Sequence, residues 1–215
     1  MPEGVVGVAR LVPVTQAEGP GRRTALWVQG CSIRCPGCFN PQMWTRRGGV
    51  KRNVDELASE IIAGATAGDV EGVTILGGEP FEQAAPLARL AALVQAAGLS
   101  VMTFTGYELP VLRTWAVGRS DIATLLRSTD LLADGPFLQD RLDVSRPWIG
   151  STNQGLHALT KRYADRLSAL NQEADRLEIR VNRDGLVAVN GWADTETLDR
   201  LLAGVGRRGD GPRRS

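Results

Sequence analysis

The three cysteines of the chain, Cys31, Cys35 and Cys38, lie within one stretch of eight residues and have the spacing C-x3-C-x2-C. Thiolates are soft ligands that select zinc, copper(I) or iron–sulfur clusters. Pro36 and Gly37 lie between them and favour a tight loop in which the thiols converge. Because the thiols are clustered so closely, a metal site is favoured over buried structural cysteines or one disulfide with a free thiol.

The number of thiols bears on which metal the loop would bind. A structural zinc site requires four protein ligands, and the loop supplies three. His157 is the only histidine and lies far along the chain, so a local zinc knuckle is excluded. A four-iron cluster usually takes four cysteines, and with three of them one iron keeps an open position. An open position is typical of a reactive metal site.

A second candidate site is Gly77-Gly78-Glu79-Pro80, which follows the apolar run 73–76. Two residues without Cβ at the end of a strand expose backbone carbonyls and amides to a ligand. Such carbonyls, together with the carboxylate of Glu79, suit an ammonium group. A double glycine in isolation usually marks a plain turn, but the neighbouring cysteine loop favours a ligand site here.

The cysteine spacing resembles the cluster loop of the radical S-adenosylmethionine (SAM) enzymes. Residues 18–31, EGPGRRTALWVQGC, are similar to the segment that leads into the cluster of glycyl-radical activating enzymes. Residues 35–41, CPGCFNP, together with Trp44 most resemble the anaerobic ribonucleotide reductase activating enzymes, to which the pyruvate formate-lyase activating enzyme is a cousin. The motif at 77–80 is similar to the GGEP sequence of radical SAM enzymes, which meets the methionyl amine of SAM.

Three later segments extend the resemblance as far as Gln154. Residues 103–107, TFTGY, and residues 131–137, LLADGPF, resemble strand-end segments of the reductase-activating group. Residues 148–154 resemble its W-x-G-S-x-N-Q stretch, the alternative being a solvated, glycine-bearing loop. Two positions depart from the relatives. Pro136 stands where many of them carry lysine, and an aspartate that pyruvate formate-lyase activating enzymes have near Thr103 is missing.

The resemblance implies that Cys31, Cys35 and Cys38 hold three irons of a [4Fe–4S] cluster, whose fourth iron binds the amine and carboxylate of SAM. An electron from flavodoxin or ferredoxin would cleave SAM, and the 5′-deoxyadenosyl radical would take a hydrogen atom from the substrate. No side chain acts as acid or base in that step, so His157 should be dispensable. The implied cofactor-binding residues are Asn40, Gly77, Gly78, Glu79, Pro80, Thr103, Thr105, Gly106 and Asp134.

The expected substrate is a backbone glycine in a partner glycyl-radical enzyme, with an anaerobic ribonucleotide reductase favoured. A short chain has little material to enclose a small molecule, whereas an open mouth can receive a loop of a protein. A radical SAM enzyme acting on a peptide or a small metabolite is the first alternative, left open by Pro136 and the segment after Gln154. An iron–sulfur electron-transfer or binding module is the second, and it does not explain residues 77–80.

Composition and charge limit the other possibilities. The chain has 215 residues, 43% of them hydrophobic, which fits one globular domain. Its net charge of +1 gives no argument for a general nucleic-acid-binding or membrane-binding surface. We find neither an apolar run of about 18 residues nor a signal pattern, so the thiols are expected in the reducing cytoplasm. Residues 1–205 are predicted to form a single domain, and the arginine-rich residues 206–215 a disordered tail.

Alternating strand and helix patterns predict an α/β fold with a mainly parallel sheet, and the resemblance implies an open, incomplete (β/α) barrel of radical SAM type. Ligands of such sheets bind just after the strands, where the motifs lie. Predicted strands cover 5–14, 24–28, 73–76, 100–104 and 131–133, with a hairpin of 178–181 and 186–189. One predicted helix begins at the cap Asn53 and another at the cap Asp194. Four more predicted helices cover 81–97, 111–115, 122–126 and 158–177.

Overall fold

Strands and helices alternate in the computed structural model, which describes residues 4–174, 176–181, 187–191 and 195–203. The strands are β1 (Val5–Thr15), β2 (Arg23–Val28), β3 (Val50–Asn53), β4 (Gly72–Gly77), β5 (Ser100–Phe104), β6 (Leu131–Asp134), β7 (Gly155–Ala158), β8 (Glu178–Val181) and β9 (Val187–Asn190). The helices are α1 (Val54–Gly68), α2 (Ala84–Ala96), α3 (Leu109–Ala116), α4 (Ser120–Arg127), α5 (Lys161–Ala164), α6 (Leu167–Leu170) and α7 (Thr195–Leu202). Short 3-10 helices cover Pro41–Met43, Pro80–Gln83 and Gln139–Arg141.

The described strands form one seven-stranded sheet in the order β3-β1-β2-β4-β5-β6-β7, and a separate hairpin of β8 and β9. The four strands β2, β4, β5 and β6 run parallel, whereas β1, β3 and β7 pair antiparallel at the two sides. The prediction of an α/β fold is confirmed, but the sheet is mixed. Parallel neighbours need long crossovers, and the short link 16–22 between β1 and β2 allows only antiparallel pairing.

The parallel strands bring the sequence motifs to one edge of the sheet. Val28 pairs with Gly77, so the cysteine loop and the glycine motif leave the sheet side by side. Phe104 pairs with Ala133 in the same direction, which places residues 105–107 and 134–137 further along that edge. The carboxyl ends of parallel strands are where α/β proteins bind ligands.

Helices α1, α2 and α4 cover one face of this sheet. Side chains alternate along a strand, so Leu26, Ile75 and Val101 face these helices and are fully buried. Helix α1 begins at the predicted cap Asn53, whose side chain accepts hydrogen bonds from the backbone N–H groups of residues 55 and 56. Its buried stripe, which includes Leu57, belongs to the same core.

The opposite face carries Trp27, Leu76 and Phe104 along its central strands. Beside them a second cluster packs Met102 and Leu131 against residues from the segment after β7, including Tyr163. This face is therefore covered at one end by the carboxyl-terminal part of the described chain. At the other end, toward the strand ends, it borders a cavity.

Two sequence predictions of elements were wrong. The predicted strands did not include Val50–Asn53, which forms β3, because an edge strand tolerates the charged side chains of Lys51 and Arg52 and therefore lacks an apolar run. The helix predicted over 158–177 is replaced by the end of β7 and two four-residue helices. The start of that segment pairs with β6, and Thr160 caps α5 afterwards.

The pairing of β8 with β9 confirms the predicted hairpin, whereas its loop, the Asp194 cap and the tail 206–215 lie outside the described residues. None of the helices in the described ranges combines the length and the apolar character that crossing a membrane requires.

Candidate functional site

The cysteine loop is held closed at its base by backbone hydrogen bonds. The N–H of Gly30 donates to the carbonyl of Met43 at 2.8 Å, and that of Cys31 donates to Trp44 at 3.0 Å. Gly30 and Gly37 have φ of 106° and 75°, a left-handed conformation that glycine adopts without strain. The loop therefore leaves β2, turns through the cysteines and returns beside its own start.

All three cysteine side chains are half-buried free thiols that line one cavity of about 270 Å³. Burial raises the pKa of the Cys31 and Cys35 thiols above its ordinary value. In the described residues, no three Cys, His, Asp or Glu side chains are grouped to hold a single metal ion. Each cysteine of a cluster binds its own iron, so thiols spread around one cavity suit a cluster.

Asn40 and Trp44, in the same loop, differ in what their polar groups can contact. The backbone N–H of Asn40 donates to the Cys38 sulfur at 3.4 Å, which is the kind of contact that supports a thiolate ligand. The indole nitrogen of Trp44 is buried and has no hydrogen-bond partner among the described residues, although Trp44 lines the cavity. The Asn40 contact fits a bound cluster, whereas the indole nitrogen of Trp44, having no accessible surface, does not face the cavity and adds nothing to that fit.

Glu79 lies in the wall of this cavity and is only 1% exposed. Its Oε1 accepts hydrogen bonds from the N–H of Phe81 at 2.9 Å and the hydroxyl of Thr105 at 2.8 Å. Its Oε2 accepts one from the N–H of Gly106 at 2.9 Å. Burial raises the pKa of Glu79 to about 7, although the hydrogen bonds favour the charged form. A cationic group bound nearby would offset the cost of burying that charge.

The two glycines of the motif make room for the cysteine loop itself. A Cβ on Gly78 would stand 2.2 Å from the carbonyl oxygen of Gly30, and one on Gly77 would stand 2.6 Å from the nitrogen of Val28. The N–H groups of Gly78 and Glu79 donate to the carbonyls of Val28 and Gly30, both at 2.8 Å. We expected the glycines to open the backbone to a ligand; the structure places the neighbouring chain against them.

Several predicted site residues are near the cavity without lining it. Thr103 is fully buried on the helix side of β5, where its hydroxyl pairs with Thr129 at 2.9 Å. Pro80 is buried at the start of a 3-10 helix. The structure thus brings Asn40, Gly77, Gly78, Glu79, Thr105 and Gly106 together with the cysteines at the cavity, and leaves Thr103, Pro80 and Asp134 behind its wall.

Asp134 has partners of its own within the protein. Its Oδ2 accepts a hydrogen bond from the N–H of Leu109 at 2.6 Å, and its Oδ1 lies 2.8 Å from Nε2 of His157. Asp134 therefore ties the start of α3 to β6 and β7. His157 lies in β7, where its ring contacts this carboxylate.

Residues 148–154 form a structured part of the cavity wall. The Oε1 of Gln154 accepts from the N–H groups of Gly150 at 3.0 Å and Ser151 at 3.1 Å, while its Nε2 donates to the carbonyl of Gly135 at 2.8 Å. One side chain thus fixes the loop and joins it to the segment after β6. The alternative of a solvated loop is not what the structure shows for Ser151, which is fully buried.

Sequence reasoning did not assign several side chains that line the cavity, among them Trp27, Ile33, Trp44, Phe137 and Gln154. The alternation along β2 could have placed Trp27, because Leu26 and Val28 belong to the helix-covered face. For Trp44 and Gln154 the signal was their place in the resembling segments. Ile33 lies within the cysteine motif and Phe137 ends the segment 131–137, but the type of neither residue indicated a role in the site.

The similarity of this chain to known proteins covers the residues that form the site. The sequence model of the family described as "4Fe-4S single cluster domain" matches residues 17–157. The anaerobic ribonucleoside-triphosphate reductase-activating protein of Salmonella typhi is 34% identical over 155 residues, which cover 68% of this chain and 95% of that protein. The protein of the same name from Escherichia coli K12 is 31% identical over 154 residues, with 68% and 95% covered.

A viral relative is similar over the same share of its length. The anaerobic ribonucleoside-triphosphate reductase-activating protein of Enterobacteria phage T4 is 28% identical over 158 residues, covering 70% of this chain and 93% of that protein. The cysteine loop, the Glu79 motif and residues 148–154 all fall inside the segment that the family model matches. The chain therefore belongs to the family of the anaerobic ribonucleoside-triphosphate reductase-activating proteins and contains a 4Fe–4S single cluster domain.

Proposed function

We propose that this chain is a radical SAM oxidoreductase that abstracts a hydrogen atom from a glycine of an anaerobic ribonucleotide reductase. The observation that carries the proposal is that Cys31, Cys35, Cys38 and Glu79 line one cavity at the carboxyl edge of the parallel strands. When bound, the [4Fe–4S] cluster supplies the electron that cleaves SAM. Flavodoxin or ferredoxin is the proposed donor of that electron, and the cytoplasm is the proposed compartment.

In this proposal the protein binds and orients, while the cofactors carry the difficult chemistry. The three thiolates hold the cluster, and the Glu79 carboxylate receives the ammonium group of SAM. Thr105 and Gly106 fix that carboxylate by the hydrogen bonds described above. Thr103, Pro80 and Asp134 do not line the cavity, and their proposed role is to support the residues that do. The open sheet with four central parallel strands supports an incomplete barrel of radical SAM type. That residues 1–205 make up one domain is part of the proposal.

The proposed substrate is part of a protein, and the rim of the cavity supports this choice. Phe39 is 56% exposed although it follows the last cysteine, and its ring centroid lies 5.5 Å from that of Phe137. Both rings line the cavity. An exposed ring that packs on a half-buried one at the rim of a reactive site is suited to contact the apolar surface of a partner.

Anaerobic reconstitution tests the chemistry without the reductase. The protein should bind about four irons and four acid-labile sulfides per chain, the composition of a [4Fe–4S] cluster, and should cleave SAM when a reductant is added. Cys31→Ala, Cys35→Ala and Cys38→Ala should each lose SAM cleavage. Ser59→Ala, on the exposed side of α1, is a control that should keep it.

Two outcomes would contradict the proposal in different ways. One zinc per chain without sulfide would mean that the three cysteines hold zinc and not an iron–sulfur cluster. A complete cluster that leaves SAM intact under reducing conditions would favour the electron-transfer or binding module instead.

A further inference from the structure

The carboxylate of Glu82 holds the cysteine loop from the side of the 3-10 helix Pro80–Gln83. Its Oε1 accepts hydrogen bonds from the backbone N–H of Ser32 at 2.7 Å and from the Ser32 hydroxyl at 2.5 Å. Its Oε2 lies 3.4 Å from Nη2 of Arg46. Ser32 directly follows Cys31, and Arg46 lies where the loop returns, so one side chain contacts both limbs of the loop.

The two partners of this contact differ in their exposure to water. The side chain of Glu82 is 12% exposed, whereas that of Arg46 is 77% exposed. Water therefore screens the charge of Arg46, as it does in most surface ion pairs. Hydrogen bonds to an ionised acceptor are about twice as strong as those between neutral groups, so the Ser32 contacts are the firmer part of the arrangement. The negative charge of Glu82 is only partly offset here.

The charge of Glu82 lies close to the first cysteine. Its Oε1 is 2.7 Å from the backbone nitrogen of Ser32, which is bonded to the carbonyl carbon of Cys31, so it lies within about 6 Å of the Cα of Cys31. That distance is shorter than the Debye length of about 8 Å at physiological ionic strength. Burial raises the pKa of the Cys31 thiol, and the charges of Glu79 and Glu82 add to the rise. Negative charge on this sulfur is thus opposed by Glu82.

We propose that Glu82 is a positioning residue that holds the cysteine loop in shape for the cluster and, through its charge, keeps the reduction potential of the cluster low. The inference rests on the proposed function, since it requires the cluster. Net charge and hydrogen bonding are among the factors that set the potential of an iron–sulfur site. Reduction adds a negative charge, which a nearby carboxylate opposes. A low potential suits a site whose electron must cleave SAM.

Two substitutions at this position separate the charge from the hydrogen bonds. Glu82→Gln removes the charge and keeps an oxygen that can accept both hydrogen bonds from Ser32, whereas Glu82→Ala removes the charge and the acceptor. Asp69→Asn is the control for loss of one negative charge, because Asp69 is exposed at the carboxyl end of α1 and precedes β4 at the amino edge of the sheet. Asparagine tolerates the left-handed φ of 51° found there.

All variants are reconstituted anaerobically, their iron and sulfide are counted, and the midpoint potential is measured by redox titration without SAM. Glu82→Gln should load fully and be reduced about tenfold more favourably, which corresponds to a potential about 59 mV higher for a one-electron couple. Asp69→Asn should keep the wild-type potential. Glu82→Ala should hold less than about half of the wild-type iron and sulfide, because the loop loses the acceptor that joins it to the 3-10 helix. A wild-type potential in fully loaded Glu82→Gln, or full loading of Glu82→Ala, would overturn the inference.

Arg46→Gln covers the case in which Glu82→Gln does not hold its cluster. This variant leaves Glu82 and both Ser32 contacts in place and removes the charge that partly offsets the carboxylate. Reduction should be about threefold less favourable than in wild type, which corresponds to a potential about 28 mV lower. An unchanged or higher potential would contradict the inference. A wild-type protein without iron and sulfide would instead refute the proposed function.

Discussion

Replacing Glu79 by glutamine should change how the stability of the cluster-free protein depends on pH. The folded protein raises the pKa of this buried carboxyl from 4.5 to about 7. Below pH 4.5 the group is protonated in both states, and its contribution to stability is fully present. As the pH rises through 7, the unfolded chain has released the proton and the folded chain must also release it, so that contribution is lost.

The size of the effect follows from the two pKa values. A pKa rise from 4.5 to about 7 corresponds to about 3 kcal/mol, at about 1.36 kcal/mol per pKa unit. Glutamine cannot lose a proton, so Glu79→Gln should gain about 3 kcal/mol on wild type between pH 4.5 and pH 8. Its amide cannot accept all three hydrogen bonds made by Phe81, Thr105 and Gly106, which costs about 1–3 kcal/mol at every pH.

Urea unfolding of the cluster-free protein under reducing, anaerobic conditions measures the free energy of unfolding at each pH. The variant should be less stable than wild type near pH 4.5 and should equal or exceed it near pH 8. Glu108→Gln, the same substitution at an exposed residue, leaves Glu79 and its hydrogen-bond partners in place and is the control that should keep the wild-type change in stability between pH 4.5 and pH 8. A difference in the free energy of unfolding between wild type and Glu79→Gln that stays constant from pH 4.5 to pH 8 would refute the reasoning.

Three further predictions concern other contacts. Gly78→Ala places a Cβ 2.2 Å from the Gly30 carbonyl, so it should lower the free energy of unfolding in urea by about 1–3 kcal/mol and also lower the iron content. Gly64→Ala has open space around its Cβ and should stabilise α1 by about 0.5–1 kcal/mol; equal effects of the two substitutions would refute the packing argument. Arg23→Lys keeps the charge but loses donors of a fully buried guanidinium that makes six hydrogen bonds. Thermal unfolding should show a free energy of unfolding lower by about 3 kcal/mol, and an unchanged midpoint temperature would contradict this prediction. Gln154→Ala should expose residues 148–154 to limited proteolysis, and wild-type resistance would mean that this side chain does not fix the loop.

The part of the fold that carries the site was predictable because its signals are local. Each of β2, β4, β5 and β6 is a short apolar run that ends at a glycine-containing motif, and parallel pairing then brings those ends to one edge. The cap of α1 at Asn53 depends on neighbouring residues and was also predicted correctly. The cysteine loop was recognisable from its spacing alone.

What the sequence did not provide were contacts between distant segments. Thr103 lies in a strand-end motif, yet side-chain alternation turns it toward Thr129 while Phe104 faces the cavity. The crowding of Gly78 against Gly30 depends on the register of β2 with β4. The start of segment 158–177 pairs with β6 as part of β7, a long-range pairing that outweighs the helical pattern.

Transfer of deuterium tests the central claim most directly. The reconstituted chain is mixed anaerobically with SAM, a reductant and an anaerobic ribonucleotide reductase carrying deuterated glycine. We predict deuterium in 5′-deoxyadenosine and, with unlabelled reductase, a protein radical whose signal is split into a doublet by the remaining glycyl α-hydrogen. If the reductase never donates the label, while a peptide or a small metabolite does, the proposed substrate is wrong and the first alternative replaces it.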